Sequence, residues 1–125
     1  MYRDPAGLVF YPNYYRWFDR ATHAMFGVVG YTFAQIKRDY GWLAWPLIES
    51  GAAFKSPGIA GDDVEIHSSV AQWSSRTFKL SHRVLRDGQL LVDGWELRFL
   101  GEPVPGDPHK LRAAVIPDEM KRRFD

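Results

Sequence analysis

The feature that most constrains this chain is an early helix that is apolar around much of its circumference. Between Tyr11 and Phe26 the aromatic and apolar residues recur every three or four positions, which is the spacing of an amphipathic helix. Pro12 suits its first turn, where a proline removes no helical hydrogen bond. The opposite face is only partly polar and carries Asn13, Arg16, Trp17, Asp19, Arg20, Ala21, His23 and Ala24. We expect the rest of the chain to wrap around such a helix.

The remaining elements are predicted from periodicity and from turn residues. Gly27 and Gly30 mark the end of the first helix, and Gly41 ends a second helix over residues 31–40. Asp87-Gly88 predicts a hairpin turn between two strands. The other expected elements are strands at 42–54, 63–73, 76–86 and 89–100, loops at 56–62 and 102–108, and a short helix at 117–123.

One long helix followed by four antiparallel strands indicates an α+β fold. An antiparallel sheet that curls around a long central helix is the hotdog fold, which we therefore predict. With 125 residues the chain fits one compact domain, so we expect a single domain over residues 1–125.

Composition and charge exclude several classes of function. Sixteen Lys and Arg residues against fifteen Asp and Glu leave a net charge of +1, so no global field attracts nucleic acid or an anionic membrane. Without cysteine there is no thiolate zinc site, and the four histidines lie far apart in the sequence, so we expect no metal. The first residues do not resemble a secretion signal, and the longest uncharged stretch is far below the roughly 20 residues of a membrane span, so we expect a cytoplasmic protein.

A long motif near the start carries a family resemblance. The segments Asp4-Pro5-Ala6-Gly7 and Tyr11-Pro12-Asn13-Tyr14 resemble the signature of the 4-hydroxybenzoyl-CoA thioesterase family. Weaker likenesses at 46–54, 72–78 and 111–113 extend the resemblance over nearly the whole chain. It implies a hotdog-fold enzyme that hydrolyses an aryl- or short acyl-CoA to the free acid and CoA. No cofactor is implied, since CoA enters only as part of the substrate.

The resemblance also implies the catalytic groups. Asp4 would be the nucleophile or general base, and the backbone N–H of Tyr11 would polarise the thioester carbonyl. Unpaired N–H groups at a helix start are preorganised donors for an oxyanion, and Pro12 stands at such a start. Gly7 allows the loop to fold Asp4 back over the helix. Because a thiol has a pKa of about 8.5, the thiolate leaves readily, and one carboxylate with an oxyanion hole suffices.

Three interpretations of Asp19 stay open. The resemblance places it near the acyl end of the substrate, where Gly7, Pro12 and Tyr14 are also expected to bind. An acid on this helix is equally suited to pair with a neighbouring cation at position 16, 20 or 23. A second hotdog thioesterase lineage uses an acid on the central helix as its catalytic carboxylate, which makes Asp19 the alternative to Asp4.

Cations are expected where the CoA phosphates bind. The resemblance points to Arg76 and Arg112, with Lys110 and Arg83 as looser candidates. The chain departs from the family at Ser74-Ser75, where members of the 4-hydroxybenzoyl type can have arginines that meet phosphate. An acyl-carrier protein therefore stays open as an alternative to CoA.

Assembly and the chain start complete the expectations. Sites in the resembled family lie between subunits, so we expect a homodimer at least, and a homotetramer, with loop 56–63 of one chain facing Asp4 of the other. The family has a strand before its motif, whereas this sequence begins three residues before Asp4, so either the start is trimmed or the first strand is missing. This departure and Ser74-Ser75 support an alternative function, a non-catalytic hotdog module that binds acyl groups or serves assembly.

Overall fold

A long helix packs across one face of an antiparallel sheet in the computed structural model, which describes residues 12–58 and 63–124. The helices are α1 (Pro12–Val28), α2 (Phe33–Tyr40) and α3 (Asp118–Arg123). The strands are β1 (Leu47–Phe54), β2 (Glu65–Trp73), β3 (Thr77–Arg86), β4 (Gln89–Phe99), β5 (Gly101–Val104) and β6 (Asp107–Ala113). The first four strands form one sheet in the order β1-β4-β3-β2, and β5 pairs with β6. This is the predicted hotdog fold.

The predicted apolar face of α1 is confirmed. Tyr14, Phe18, Thr22 and Phe26, which follow one another at intervals of four residues, are all buried. A side chain at Gly94 of β4 would overlap the ring of Phe18. The absence of a side chain there lets α1 lie close against the middle of the sheet.

The core has two parts along α1. The larger part, which we call the aromatic core, is built around Phe26, whose ring centroid lies 4.3 Å from that of Trp45 and 5.5 Å from that of Phe78. The smaller part gathers Tyr14 and Phe18 with aliphatic residues of β3 and β4. The two parts together bury the apolar face of α1 from Tyr14 to Phe26.

The prediction of one long strand over 42–54 is wrong for its first half. Trp42 and Trp45 are buried in the aromatic core, and only a single bridge from Ala44 to Gly101 pairs this segment. Regular pairing with β4 begins at Leu47. Pro46 has no N–H to give to a ladder, which explains why the strand begins after it.

The prediction of a loop over 102–108 is also wrong, because this segment belongs to the β5–β6 hairpin. Glu102 pairs with Arg112 and Pro103 with Leu111, and Gly106 at φ +81° lies in the turn. In a sheet of two strands each strand has an unpaired edge, so a proline can be accommodated without breaking the ladder. The prolines therefore gave a misleading signal.

The other element boundaries agree with the predictions to within about two residues. Thr32 caps α2, Gly41 ends it in the left-handed conformation, and Asp87 and Gly88 have φ angles of +51° and +79° in the predicted turn. Asn13 was assigned to the polar face of α1, yet it is buried at 6% exposure. The first turn of α1 is therefore enclosed more fully than its sequence suggested.

Candidate functional site

Four polar side chains are buried between α1 and the sheet. Thr22 and His82 are fully buried, and Glu96 and Arg98 are only 2% and 4% exposed. Glu96 Oε1 accepts hydrogen bonds from Thr22 Oγ1 at 2.5 Å and from His82 Nε2 at 2.9 Å. Its other oxygen, Oε2, accepts from Arg98 Nη2 at 2.7 Å. We call these four residues the polar network.

Contacts with neighbouring residues fix the side chains of the polar network in place. Arg98 Nη1 donates to the backbone carbonyl of Trp45 at 2.9 Å. The imidazole of His82 stacks on the ring of Phe18 with centroids 4.9 Å apart, and its Nδ1 lies 2.6 Å from Ser68 Oγ. These contacts join three strands of the sheet, α1 and the segment before β1, so the position of each polar group is fixed by several elements at once.

The network reaches the surface at Asp19. Arg98 Nη2 donates to Asp19 Oδ1 at 2.8 Å, and His23 Nε2 lies 3.4 Å from Asp19 Oδ2. Of the three helix neighbours considered as partners from sequence, the structure pairs Asp19 with His23. It also brings in Arg98, a partner 79 residues away that the sequence did not suggest.

Hydrogen bonding determines the charge state of this buried carboxylate. Burial by itself raises the pKa of Glu96, but the hydrogen bonds from His82, Arg98 and Thr22 outweigh it and lower the pKa to about 2. For the Arg98 guanidinium the directions are reversed. Burial lowers its pKa, but its hydrogen bonds to Glu96 and Asp19 raise the pKa above the ordinary value. Glu96 and Arg98 therefore form a buried ion pair.

A pocket of about 420 Å³ opens beside the first half of α1, and we call it the flank pocket. Its floor includes Glu96 and Arg98 of the polar network. Three guanidinium groups and two carboxylates line it, which gives it a formal charge of one positive. The other residues that matter to its chemistry are Tyr15, Arg16, Asp19, Arg20 and Leu47.

The two arginines predicted to meet CoA phosphates line one separate pocket of about 500 Å³, which we call the hairpin pocket. Arg112 Nε donates to Glu102 Oε1 at 2.9 Å across the β5–β6 hairpin. Arg76 Nη1 donates to the backbone carbonyl of Ala113 at 2.7 Å. Both guanidinium groups are partly exposed, and each keeps further N–H groups beyond these bonds.

The other predicted site residues are placed as follows. Asp4, Gly7 and Tyr11 lie outside the described residues. Pro12 is the first residue of α1, and Tyr14 is buried at 3% exposure with its ring centroid 5.7 Å from that of Phe54. With Asp19 at the flank pocket, the three described substrate-binding candidates all lie on α1, two of them at its start and one further along.

Sequence reasoning missed Glu96 and Arg98, although a signal was present. In a strand alternate residues face one side, and Val92, Glu96 and Arg98 share the buried side of β4. Glu96 and Arg98 share that alternation and carry opposite charges two positions apart. Opposite charges at alternate positions of a strand lie on one side of the sheet, where they can pair with each other.

Residues 12–58 and 63–124 contain neither a metal cluster nor a membrane-spanning helix. In these ranges no three acidic or histidine side chains come close enough to one another to hold a metal ion. In the same ranges no helix combines the length and the apolar character that crossing a membrane requires.

Comparisons with known proteins give a consistent result. The profile of the thioesterase-like superfamily matches residues 2–124. The 4-hydroxybenzoyl-CoA thioesterase of Pseudomonas sp. (strain CBS-3) is 30% identical over 120 residues, covering 91% of this chain and 83% of that protein. The matched region includes the motif near the start of the chain and every helix and strand described above.

Solved structures agree with the sequence comparison. The X-ray structure of an Asp-to-Asn mutant of 4-hydroxybenzoyl-CoA thioesterase, in complex with 4-hydroxybenzoyl-CoA, superposes with a TM-score of 0.87 at 28% identity and covers 98% of this chain and 89% of that one. A gentisyl-coenzyme A thioesterase gives a TM-score of 0.76 at 30% identity, covering 97% and 88%. Both similarities extend over the long helix and the sheet together.

Proposed function

This chain belongs to the thioesterase-like superfamily, and from that premise we propose that it hydrolyses an aryl- or short acyl-CoA to the free acid and CoA. The observation that carries the proposal is the family match over residues 2–124, because it includes the Asp4 motif as well as the whole fold. Fold alone would not support a reaction, since one fold hosts many activities.

We propose Asp4 and the backbone N–H groups at the start of α1 as the catalytic groups. Asp4 attacks the thioester carbonyl directly, forming an acyl-aspartyl anhydride that water hydrolyses, or it takes a proton from the water that attacks. In either path the C–S bond breaks and CoA leaves as the thiolate. The backbone N–H of Tyr11, with the first turn of α1, holds the developing oxyanion. That turn contains no acidic residue to neutralise the positive end of the helix dipole.

The acyl group is proposed to run along α1 from this start towards the flank pocket. Gly7, Pro12 and Tyr14 contact it near the thioester, and Asp19 lies near its far end. Seven residues of helix separate Pro12 from Asp19, which is about 10 Å and suits an aryl or short acyl group. Because the oxygens of Asp19 already face Arg98 and His23, Asp19 is poorly available as a nucleophile.

The hairpin pocket is proposed to receive the CoA phosphates. Arg76 and Arg112 supply the cations, and Arg112 would exchange part of its contact with Glu102 for phosphate. The proposed reaction requires no resident cofactor, since the thiolate is a good leaving group and Asp4 supplies the carboxylate. We place the enzyme in the cytoplasm as a dimer or tetramer, with loop 56–63 facing the partner subunit's Asp4.

A non-catalytic module that binds acyl groups is the second candidate. One observation favours it, since Glu102 lies in the hairpin pocket and neutralises Arg112 there. Weak phosphate binding would suit a protein that meets acyl groups on another carrier. The two candidates differ in whether the free thiol is released.

The test is thiol release from a panel of aryl and aliphatic acyl-CoAs, with Asp4→Asn and Asp19→Asn measured beside the wild type. We expect the wild type to turn over, Asp4→Asn to lose on the order of 10³-fold or more in kcat, and Asp19→Asn to change mainly KM. Glu102→Gln should lower KM for CoA esters by releasing Arg112, and Lys37→Gln on the exposed surface of α2 serves as the charge control. An inert wild type that still binds acyl-CoA would favour the binding module.

A further inference from the structure

The charged side chains of the flank pocket differ in whether other residues already pair with them. Its two carboxylates are already satisfied, because Glu96 is bound by Thr22, His82 and Arg98, and Asp19 is bound by Arg98 with His23 beside it. The carboxylates therefore offer little negative charge to a ligand.

Two of the three cations in the pocket are not engaged in this way. Arg16 and Arg20 are exposed, line the pocket, and make no hydrogen bond or ion pair within residues 12–58 and 63–124. They stand four positions apart on α1, so their side chains are neighbours on one face of the helix. Like charges at this spacing disfavour the helix unless an anion lies between them.

The rest of the pocket suits the body of an acyl group. Tyr15 and Leu47 supply apolar wall, and about 420 Å³ is ample for a benzoyl-sized group. Arg98, fixed by the polar network, adds a guanidinium that cannot move away from the floor. The pocket therefore combines apolar sides and satisfied acids with two arginines at its rim that no other described residue engages.

We propose that the flank pocket selects an acyl group whose far end carries a carboxylate, bound by Arg16 and Arg20. The planar guanidinium fork matches the two oxygens of a carboxylate, and a pair of forks can hold one carboxylate between them. This inference rests on the proposed function and narrows its substrate class to CoA thioesters of dicarboxylic acids. A neutral end group of the same size would form no ion pair with either arginine, and both guanidinium groups would stay hydrated.

The first arm of the test compares substrates matched in size. The kcat/KM of the wild type is measured for 4-carboxybenzoyl-CoA against 4-methylbenzoyl-CoA, and for glutaryl-CoA against valeryl-CoA. We expect the carboxylated member of each pair to be preferred by about tenfold or more. The double variant Arg16→Gln/Arg20→Gln should reduce the preference to about twofold, chiefly by lowering kcat/KM for the carboxylated esters. Lys37→Gln, which removes an exposed cation of α2 outside the pocket, should keep the full preference.

The second arm does not depend on turnover. Binding of terephthalate and of 4-methylbenzoate is measured by calorimetry on the wild type and on Arg16→Gln/Arg20→Gln. Preferential binding of terephthalate that disappears in the double variant supports the inference even if no ester is hydrolysed, in which case only the proposed function fails. Hydrolysis of both members of each pair at equal kcat/KM overturns the inference and leaves the proposed function standing. A preference that survives the double variant also overturns it, because the carboxylate would then be held elsewhere.

Discussion

The aromatic core and the polar network lie side by side between α1 and the sheet, yet they contribute in different ways. The aromatic core buries Phe26, Trp45 and Phe78, and each buried apolar Å² contributes about 25 cal/mol without requiring one particular geometry. The polar network buries charges, whose desolvation roughly cancels their attraction. A contribution to stability therefore explains the aromatic core, but it does not explain why the polar network is present.

The polar network fixes the positions of the charged side chains at the flank pocket. Glu96 and the Trp45 carbonyl hold the Arg98 guanidinium, and Arg98 in turn holds Asp19 at the flank pocket. An apolar side chain in the place of Arg98 could fill the space but could not orient a carboxylate. The buried ion pair is therefore best understood as a support for the pocket, placed beside a core that already stabilises the fold.

Arg98→Met should give the largest effect, because it leaves Glu96 buried without its cation. We expect a loss of about 4 kcal/mol in the free energy of unfolding, measured in urea at pH 7. The double variant Arg98→Met/Glu96→Gln should recover part of this loss, since no buried charge then stays unpaired. A single variant that loses less than about 1 kcal/mol would contradict the view of a tightly coupled pair.

Acid should weaken the polar network and spare the aromatic core. The folded pKa of Glu96, about 2, is below the unfolded value near 4.3, so its contribution is present above pH 4.3 and is lost as the pH falls towards 2. Linkage gives about 3 kcal/mol for this contribution. Urea titrations between pH 7 and 2 should show a flatter profile for Glu96→Gln than for wild type. The exposed Glu49→Gln variant should follow the wild-type profile.

Phe26→Leu tests the other region. The substitution nearly conserves volume, so we expect a loss of about 1.5 kcal/mol that is the same at pH 7 and at pH 3. Acyl preference should be unchanged, because Phe26 does not line the flank pocket. A shift in acyl preference with this variant would remove the distinction between a stabilising core and a positioning network.

Ser68→Ala should have the smallest effect. It removes the partner of His82 Nδ1, which lies 2.6 Å from Ser68 Oγ, and we expect a loss of about 1 kcal/mol. The matched control is Ser69→Ala, since Ser69 is exposed on the other face of β2. Chemical denaturation of both variants provides the measurement. Equal stability of the two variants would show that the network ends at His82.

Most of the fold was predictable because its signals are local. The period of four along α1 identified Tyr14, Phe18 and Phe26 as buried, and Asp87-Gly88 identified the hairpin turn. The β5–β6 hairpin was missed because its prolines argue against a strand, while a two-stranded sheet tolerates them at an open edge. A local rule fails here because a strand tolerates proline only where no other strand pairs with that edge.

The sequence by itself determined the α+β class, the inward face of α1 and the family to which the chain belongs, because periodicity and a contiguous motif are properties of neighbouring residues. Only the tertiary structure decided that Asp19 pairs with Arg98 and that Arg76 and Arg112 share one pocket. It also decided that Arg16 and Arg20 line the flank pocket without a partner among the described residues. Each of these depends on segments far apart in the chain. Packing α1 against β4 brings such segments together, and no local pattern encodes the distance between them.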